Sequence, residues 1–297
     1  MSDLQKRQVE LSVGRISYLE EGDPEEPAIV LLHGYPTSSY LWREFVPAFA
    51  PWFHVIAPDL VGSGDSDKPP DLPLHVRAQT AYLVELLQAL GIGSCAAVGH
   101  GAGGGIAQLL ALEGRVRAMV LVDSVAFDAW PTPLVREVQR RQPSEGLPEG
   151  FLPRWLRSGM GHPERLKAET LREYLRPFQG PEGAAALLRL VRALDGRGLA
   201  GREGELARLD IPILLLWGED DAYLPVDIAE RLAEAVPTAS LAVLPGCSHF
   251  LPEDAPETIA PLMFEYLRSR YLGRSHEHRG GPVVVELQRK PFEGEAG

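Results

Sequence analysis

The chain has 297 residues, 45% hydrophobic and 24% charged, enough for one large domain or one domain carrying an insertion. A formal charge of −12 with no basic block argues against nucleic acid and anionic membrane surfaces as partners. The opening MSDLQKRQVELSV lacks the apolar stretch of a signal peptide, and no run reaches the roughly 18 apolar residues of a membrane span, so a cytoplasmic protein is expected.

Two alternating stretches, 9–13 and 15–19, predict a hairpin. Short buried-looking runs follow at 28–32, 53–57, 96–98, 118–122, 211–217 and 241–244. Helical spacing separates them, most clearly at 74–90, 104–112, 226–235 and 256–271. Strand and helix in alternation predict an α/β fold, a mostly parallel sheet covered on both faces. Between 129 and 206 the rhythm changes to proline-rich helical spacing with no convincing strand, which predicts a helical cap inserted between two strands. The core is then 1–128 and 207–273, and 274–297, ending in PVVVELQRKPF, is a tail or an added edge strand. Cys95 and Cys247 fall at opposite strand ends, roughly 13–16 Å apart at about 3.3 Å per residue. That is too far for a disulfide, so both are read as free thiols.

Residues 96–108, AAVGHGAGGGIAQ, allow two readings. As G-x-G-x-x-G they are Gly99, Gly101 and Gly104, with Asp123 placed like the ribose-binding acid of a dinucleotide enzyme. That fingerprint belongs to the first strand–turn–helix unit of its domain, whereas at least four strands precede it here. As G-x-S-x-G the stretch is a nucleophile elbow with Gly101 where the nucleophile belongs. Small residues at 103–105 also suit close helix–strand packing.

Three other segments favour the elbow. After AIVLL comes His33-Gly34-Tyr35-Pro36 and TSSYLWR; after ILLLW comes GEDDAYLP (218–225); after LAVL comes PGCSHF (245–250). Together with APDLVGSGDSDKP (57–69), these resemble the α/β-hydrolase fold superfamily, nearest its haloalkane dehalogenase and epoxide hydrolase branch, over about residues 9–271. The resemblance implies an eight-stranded, mostly parallel sheet flanked by helices with an inserted cap. It makes His249 the base and Asp221 its orienting acid, with Asp220 the alternative. The backbone N–H groups of Tyr35 and Ala102 become an oxyanion hole. It calls for no metal or cofactor. His33 is read as bracing the oxyanion loop, His100 as packing beneath the elbow, and Ser38 and Ser39 as capping the next helix. His276 and His278 are read as solvated.

Two departures bear on mechanism. Members of that branch use an Asp nucleophile and esterases use Ser, whereas Gly101 has no side chain for a covalent ester step. The dehalogenases hold halide with an Asn after His-Gly and a Trp after the nucleophile, where this chain has Tyr35 and Ala102. Tyr174 in the cap is a candidate donor to an epoxide oxygen, and Ser124 a candidate replacement nucleophile. Trp130, Trp155 and Tyr174, with Phe151 and Phe178, predict a pocket for a small, largely apolar, neutral substrate such as an ester, epoxide or haloalkane. Three readings of Gly101 stay open: a His–Asp dyad doing non-covalent general-base chemistry, a pocket that only binds, or a recent or engineered substitution in an ordinary hydrolase. An enzyme with impaired covalent hydrolysis ranks ahead of a non-catalytic binder and, distantly, a dinucleotide enzyme. The sequence sets no preference between monomer and dimer.

Overall fold

The computed structural model describes residues 5–129, 132–141 and 146–273. Eight strands form one sheet: β1 (Lys6–Leu11), β2 (Gly14–Glu21), β3 (Ala28–Leu32), β4 (His54–Pro58), β5 (Cys95–His100), β6 (Val116–Val122), β7 (Ile213–Gly218) and β8 (Ala239–Leu244). Across the sheet they run β1-β2-β4-β3-β5-β6-β7-β8. β1 and β2 pair antiparallel, as do β2 and β4; every other neighbouring pair is parallel. β3, β4, β5 and β7 are buried at every residue, as strands covered on both faces must be.

The helices are α1 (Phe45–Phe49), α2 (Val76–Ala89), α3 (Ala102–Leu112), α4 (Pro133–Arg140), α5 (Phe151–Ser158), α6 (Ala168–Leu175), α7 (Gly180–Arg192), α8 (Glu203–Leu206), α9 (Asp227–Ala235), α10 (Leu251–Asp254) and α11 (Pro256–Leu267). No helix among the described residues is long and apolar enough to cross a membrane. Ser38 caps a 3-10 turn, Ser39–Trp42, by accepting from the Tyr40 amide (3.3 Å). Cys95 and Cys247 are free and buried. The 274–297 stretch, with His276 and His278, lies outside the described residues.

Most boundaries shift by a few residues from the sequence reading, and two helix boundaries show why. α3 begins at Ala102 rather than 104, because one left-handed residue suffices to turn β5 into the helix. α11 ends at Leu267, and a π-helical turn, Arg268–Leu272, finishes the segment. The proposed cap, 129–206, brackets the helices between β6 and β7, although its last helix, α8, packs on α3 and α9 of the sheet unit.

The glycines of 99–105 let α3 lie directly on the sheet. A Cβ on Gly103 would overlap the Leu32 carbonyl, and one on Gly105 would stand 2.7 Å from Val125 Cγ2. A Cβ on Gly104 would overlap Ser124 Oγ. Gly104→Ala should therefore cost about 1–3 kcal/mol of stability, as overpacking a closed contact does. An unchanged urea midpoint would refute this account of the glycine run.

Candidate active site

The parallel register gathers the key loops. Leu32 pairs with Gly99 and His100 with Val122, so the loops after β3, β5 and β6 leave at one edge of the sheet. β7 and β8 end there too, with Gly218 opposite Leu244. Strand order reverses between β3 and β5, where ligand sites of open α/β sheets lie.

Gly101 occupies that turn at φ +53°, ψ −119°, a conformation costing a side-chain-bearing residue of order 1–3 kcal/mol. Glycine adopts it without that strain. A Cβ at this position would nevertheless meet no obstruction: Gly34 Cα and His249 Nε2 each lie 3.6 Å away. Gly34 must itself be small, since its Cβ would stand 2.9 Å from His100 Nδ1.

The His249 ring points at this space. Its Nδ1–H donates to Asp221 Oδ2 (3.0 Å), and Nε2 hydrogen-bonds to none of the described residues. Asp221 is buried because its turn needs it: Oδ1 accepts from the amides of Tyr223 (2.8 Å) and Leu224 (2.9 Å). Its neighbour Asp220 is exposed, which separates the two candidates. His100 Nε2–H donates to the His249 carbonyl (2.8 Å), and its ring lies 5.0 Å from that of His249. Burial holds the His100 imidazole well below its ordinary value, so it stays neutral. His33 donates from Nδ1 to the Gly34 carbonyl (2.9 Å) and accepts the Leu60 amide at Nε2 (3.0 Å), with burial lowering it to about 4. Among the described residues, no group of three or more His, Cys, Asp or Glu is placed to hold a metal.

The other sequence candidates fare differently. Tyr35 turns its phenol away from Gly101, donating to the Leu74 carbonyl (3.0 Å) and accepting from Gln79 Nε2 (2.8 Å). Tyr174 is corrected as an epoxide-facing donor: its hydroxyl donates to Glu253 Oε1 (2.5 Å), itself clamped by both Arg43 nitrogens (2.6 and 2.8 Å). Ser124 is corrected as a pocket nucleophile, because its hydroxyl is buried against α3, donating to the Val125 carbonyl (2.9 Å) and accepting from Gln108 (3.2 Å). Trp130 lies outside the described residues. Trp155 reaches the site through Tyr223, whose hydroxyl donates to the Trp155 carbonyl (2.6 Å). Gly99 and Gly104 serve helix–sheet packing, and Asp123 is buried without access to a ribose, so the dinucleotide reading loses its supports.

Three contributors escaped the sequence reading. The Tyr223 ring packs edge-on against His249 with centroids 5.2 Å apart, and Phe250 does the same at 5.2 Å. Asp254, fully buried, accepts the amides of Ser248 (2.9 Å), Gly161 (2.8 Å) and His162 (2.9 Å), fastening the histidine loop to the helical insertion. An acid five residues past a candidate base was the available signal, but two of its three partners lie more than 90 residues away in the chain.

Comparisons with known proteins place the chain's family and fold. A family model described as the alpha/beta hydrolase family matches residues 29–262. The chain is similar to haloalkane dehalogenase 2 of Mycobacterium bovis, 31% identical over 285 residues, covering 88% of this chain and 94% of the relative. It is also similar to epoxide hydrolase 4 of Mus musculus, 27% identical over 284 residues, covering 86% and 76%. Among solved structures, an alpha/beta hydrolase fold protein from Burkholderia ambifaria matches with a TM-score of 0.81 at 29% identity, over 89% of this chain and 98% of that one.

One further acid sits behind the dyad. Asp123, at φ +43°, is fully buried; its Oδ1 accepts the Gly218 amide (2.8 Å), and the Leu251 amide also stabilises its charged form. Burial and the neighbouring Asp221 carboxylate push its carboxyl well above the usual range. A carboxyl raised in the folded state contributes stability that is present below the ordinary carboxylate value and falls as pH rises toward the raised one. Asp123→Asn keeps the acceptor without the charge. Its stability relative to the parent should improve between pH 5 and pH 8, by up to about 1.4 kcal/mol per pH unit. Denaturation curves that show no such widening would mean Asp123 is ionised in the fold.

Proposed function

This chain belongs to the alpha/beta hydrolase family, and we propose that its His249–Asp221 dyad works as a general base with no covalent step at residue 101. The observation that carries this reading is the 3.6 Å between His249 Nε2 and the Cβ position of Gly101. The ring faces the place where a nucleophile would stand, and its other nitrogen is held by a buried carboxylate. With Nδ1–H committed to Asp221, the Nε2 lone pair takes a proton from a water or from a bound substrate.

For an ester, that water's oxygen bonds to the carbonyl carbon as its proton passes to Nε2. Negative charge then develops on the carbonyl oxygen, where the amides of Tyr35 and Ala102 are proposed to receive it. Collapse breaks the bond to the alcohol oxygen, and the proton on Nε2 goes to that leaving group. Among the described residues neither amide donates to another group, which supports this role. Carbonyl substrates suit the site better than epoxides or haloalkanes. Tyr174 is spent on Glu253, and the Tyr35 phenol is turned to Leu74 and Gln79 rather than toward a leaving halide. The Trp155, Tyr223 and Phe250 rings favour a small, largely apolar, neutral molecule.

Loss of a triad nucleophile leaves a residual rate roughly 10³–10⁴-fold above water, from binding and the oxyanion hole. The parent should therefore hydrolyse activated esters at about that level. Gly101→Ser should raise ester turnover, at about 1–3 kcal/mol of stability for a side chain in the positive-φ turn. Adding His249→Ala should abolish the gain. If the parent and Gly101→Ser are both inert yet a small apolar ligand binds tightly, the protein is a binding pseudoenzyme and the catalytic reading fails.

A further inference from the structure

The space in front of Gly101 has the makings of an anion site independent of any substrate. It lies at the N-terminus of α3, an eleven-residue helix with no acidic side chain in its first turn. The first amides of such a helix have no intrahelical acceptor, and its dipole favours negative charge. The second feature is His249, 6% exposed, with Nε2 unpartnered among the described residues and aimed at the same point. We propose that this space binds a small carboxylate, best fitted by formate, which stands where the side-chain carboxylate of an acidic residue at 101 would stand. The inference rests on the reading of His249 as the base of the site.

Geometry limits the size of the ligand. A bonded Cβ would sit about 1.5 Å from Gly101 Cα, whereas an unbonded carbon needs about 3.5–4.0 Å. The free ligand is thereby pushed outward by about 2 Å from the Cβ position, which favours the smallest carboxylate. One oxygen meets the Ala102 amide, and the other meets His249 Nε2.

The charges around the imidazole decide how it binds. Asp221 holds Nδ1–H from the loop after β7, and Asp123 lies behind Asp221 at the end of β6. His100, at the end of β5, is neutral, and Tyr223 and Phe250 present ring edges. With Nδ1 already protonated, Nε2 offers a lone pair, which a carboxylate oxygen cannot accept from. Formate therefore enters with one proton, as an imidazolium–carboxylate pair whose cation is flanked by Asp221.

The test is the thermal midpoint of the full chain titrated with sodium formate, against sodium chloride at equal ionic strength and sodium pivalate as a bulky carboxylate. Formate should raise the midpoint along a saturating curve, as mass action requires, while chloride and pivalate do not. The apparent affinity should fall as pH rises, by up to tenfold per pH unit, wherever one proton is taken up with the ligand. Gly101→Ala, whose methyl group fills the space, and His249→Gln should each remove the response. Should either variant fail to fold, the formate–pivalate contrast and the pH dependence in the parent still decide. Equal shifts with all three salts, or a formate shift that survives Gly101→Ala, would overturn the proposal. Ester turnover by the parent and by Gly101→Ser is a separate readout: turnover without formate binding sinks this inference alone, and formate binding with both proteins inert sinks the catalytic reading alone.

Discussion

The structure turns on one backbone conformation, the positive-φ residue that converts β5 into α3 within a single step. Because β5 lies between β3 and β6 in parallel register, that turn sits beside the ends of both neighbours. Gly34 comes close enough that a Cβ on it would crowd His100 and Gly101. The run Gly103–Gly105 then lets α3 descend onto the sheet, so its first amides stay at the edge where the loops converge. A side chain at 101 would strain this arrangement without clashing with it. Gly101 is therefore a chemical loss and a conformational relief at once.

Around the turn lies an unusual concentration of buried acid. Asp123 follows β6, Asp221 lies in the loop after β7 and Asp254 ends α10 just past His249, and each is held by backbone amides. Asp221 spends one oxygen on its own turn and the other on the imidazole, which fixes both the ring's tautomer and its direction. Asp254 ties the histidine loop to the helical insertion, and Tyr223 makes a second tie through the Trp155 carbonyl. The Arg43–Glu253–Tyr174 cluster adds a third. The base is thus positioned by the sheet and by the insertion together.

Much of this was legible in the sequence. His-Gly-Tyr-Pro, GEDDAYLP and PGCSHF each follow an apolar run, and parallel strands bring such sequels to one edge. Strand boundaries came within a few residues because continuous apolar runs mark fully covered strands. Spacing could not say which of Asp220 and Asp221 turns inward; that depends on the two amides which only Asp221 caps. Nor could it place Ser124, whose direction is set by the absence of a Cβ on Gly104, twenty residues earlier in the chain. Tyr174 read as a substrate-facing donor, but its partner Glu253 stands 79 residues away, beyond any local pattern. Asp123 looked like a ribose ligand by spacing and proved to be a buried acid behind the dyad.

The central claim is that Asp221 holds His249 with its Nε2 lone pair toward residue 101. Nitrogen-15 spectra of selectively labelled histidine read this directly, since the two ring nitrogens differ sharply in shift according to which carries the proton. At a pH where the His249 ring is neutral, Nδ1 should be protonated and Nε2 bare, and Asp221→Asn should move the ring toward a mixture of tautomers. A neutral ring protonated at Nε2, or one indifferent to Asp221→Asn, would contradict the account.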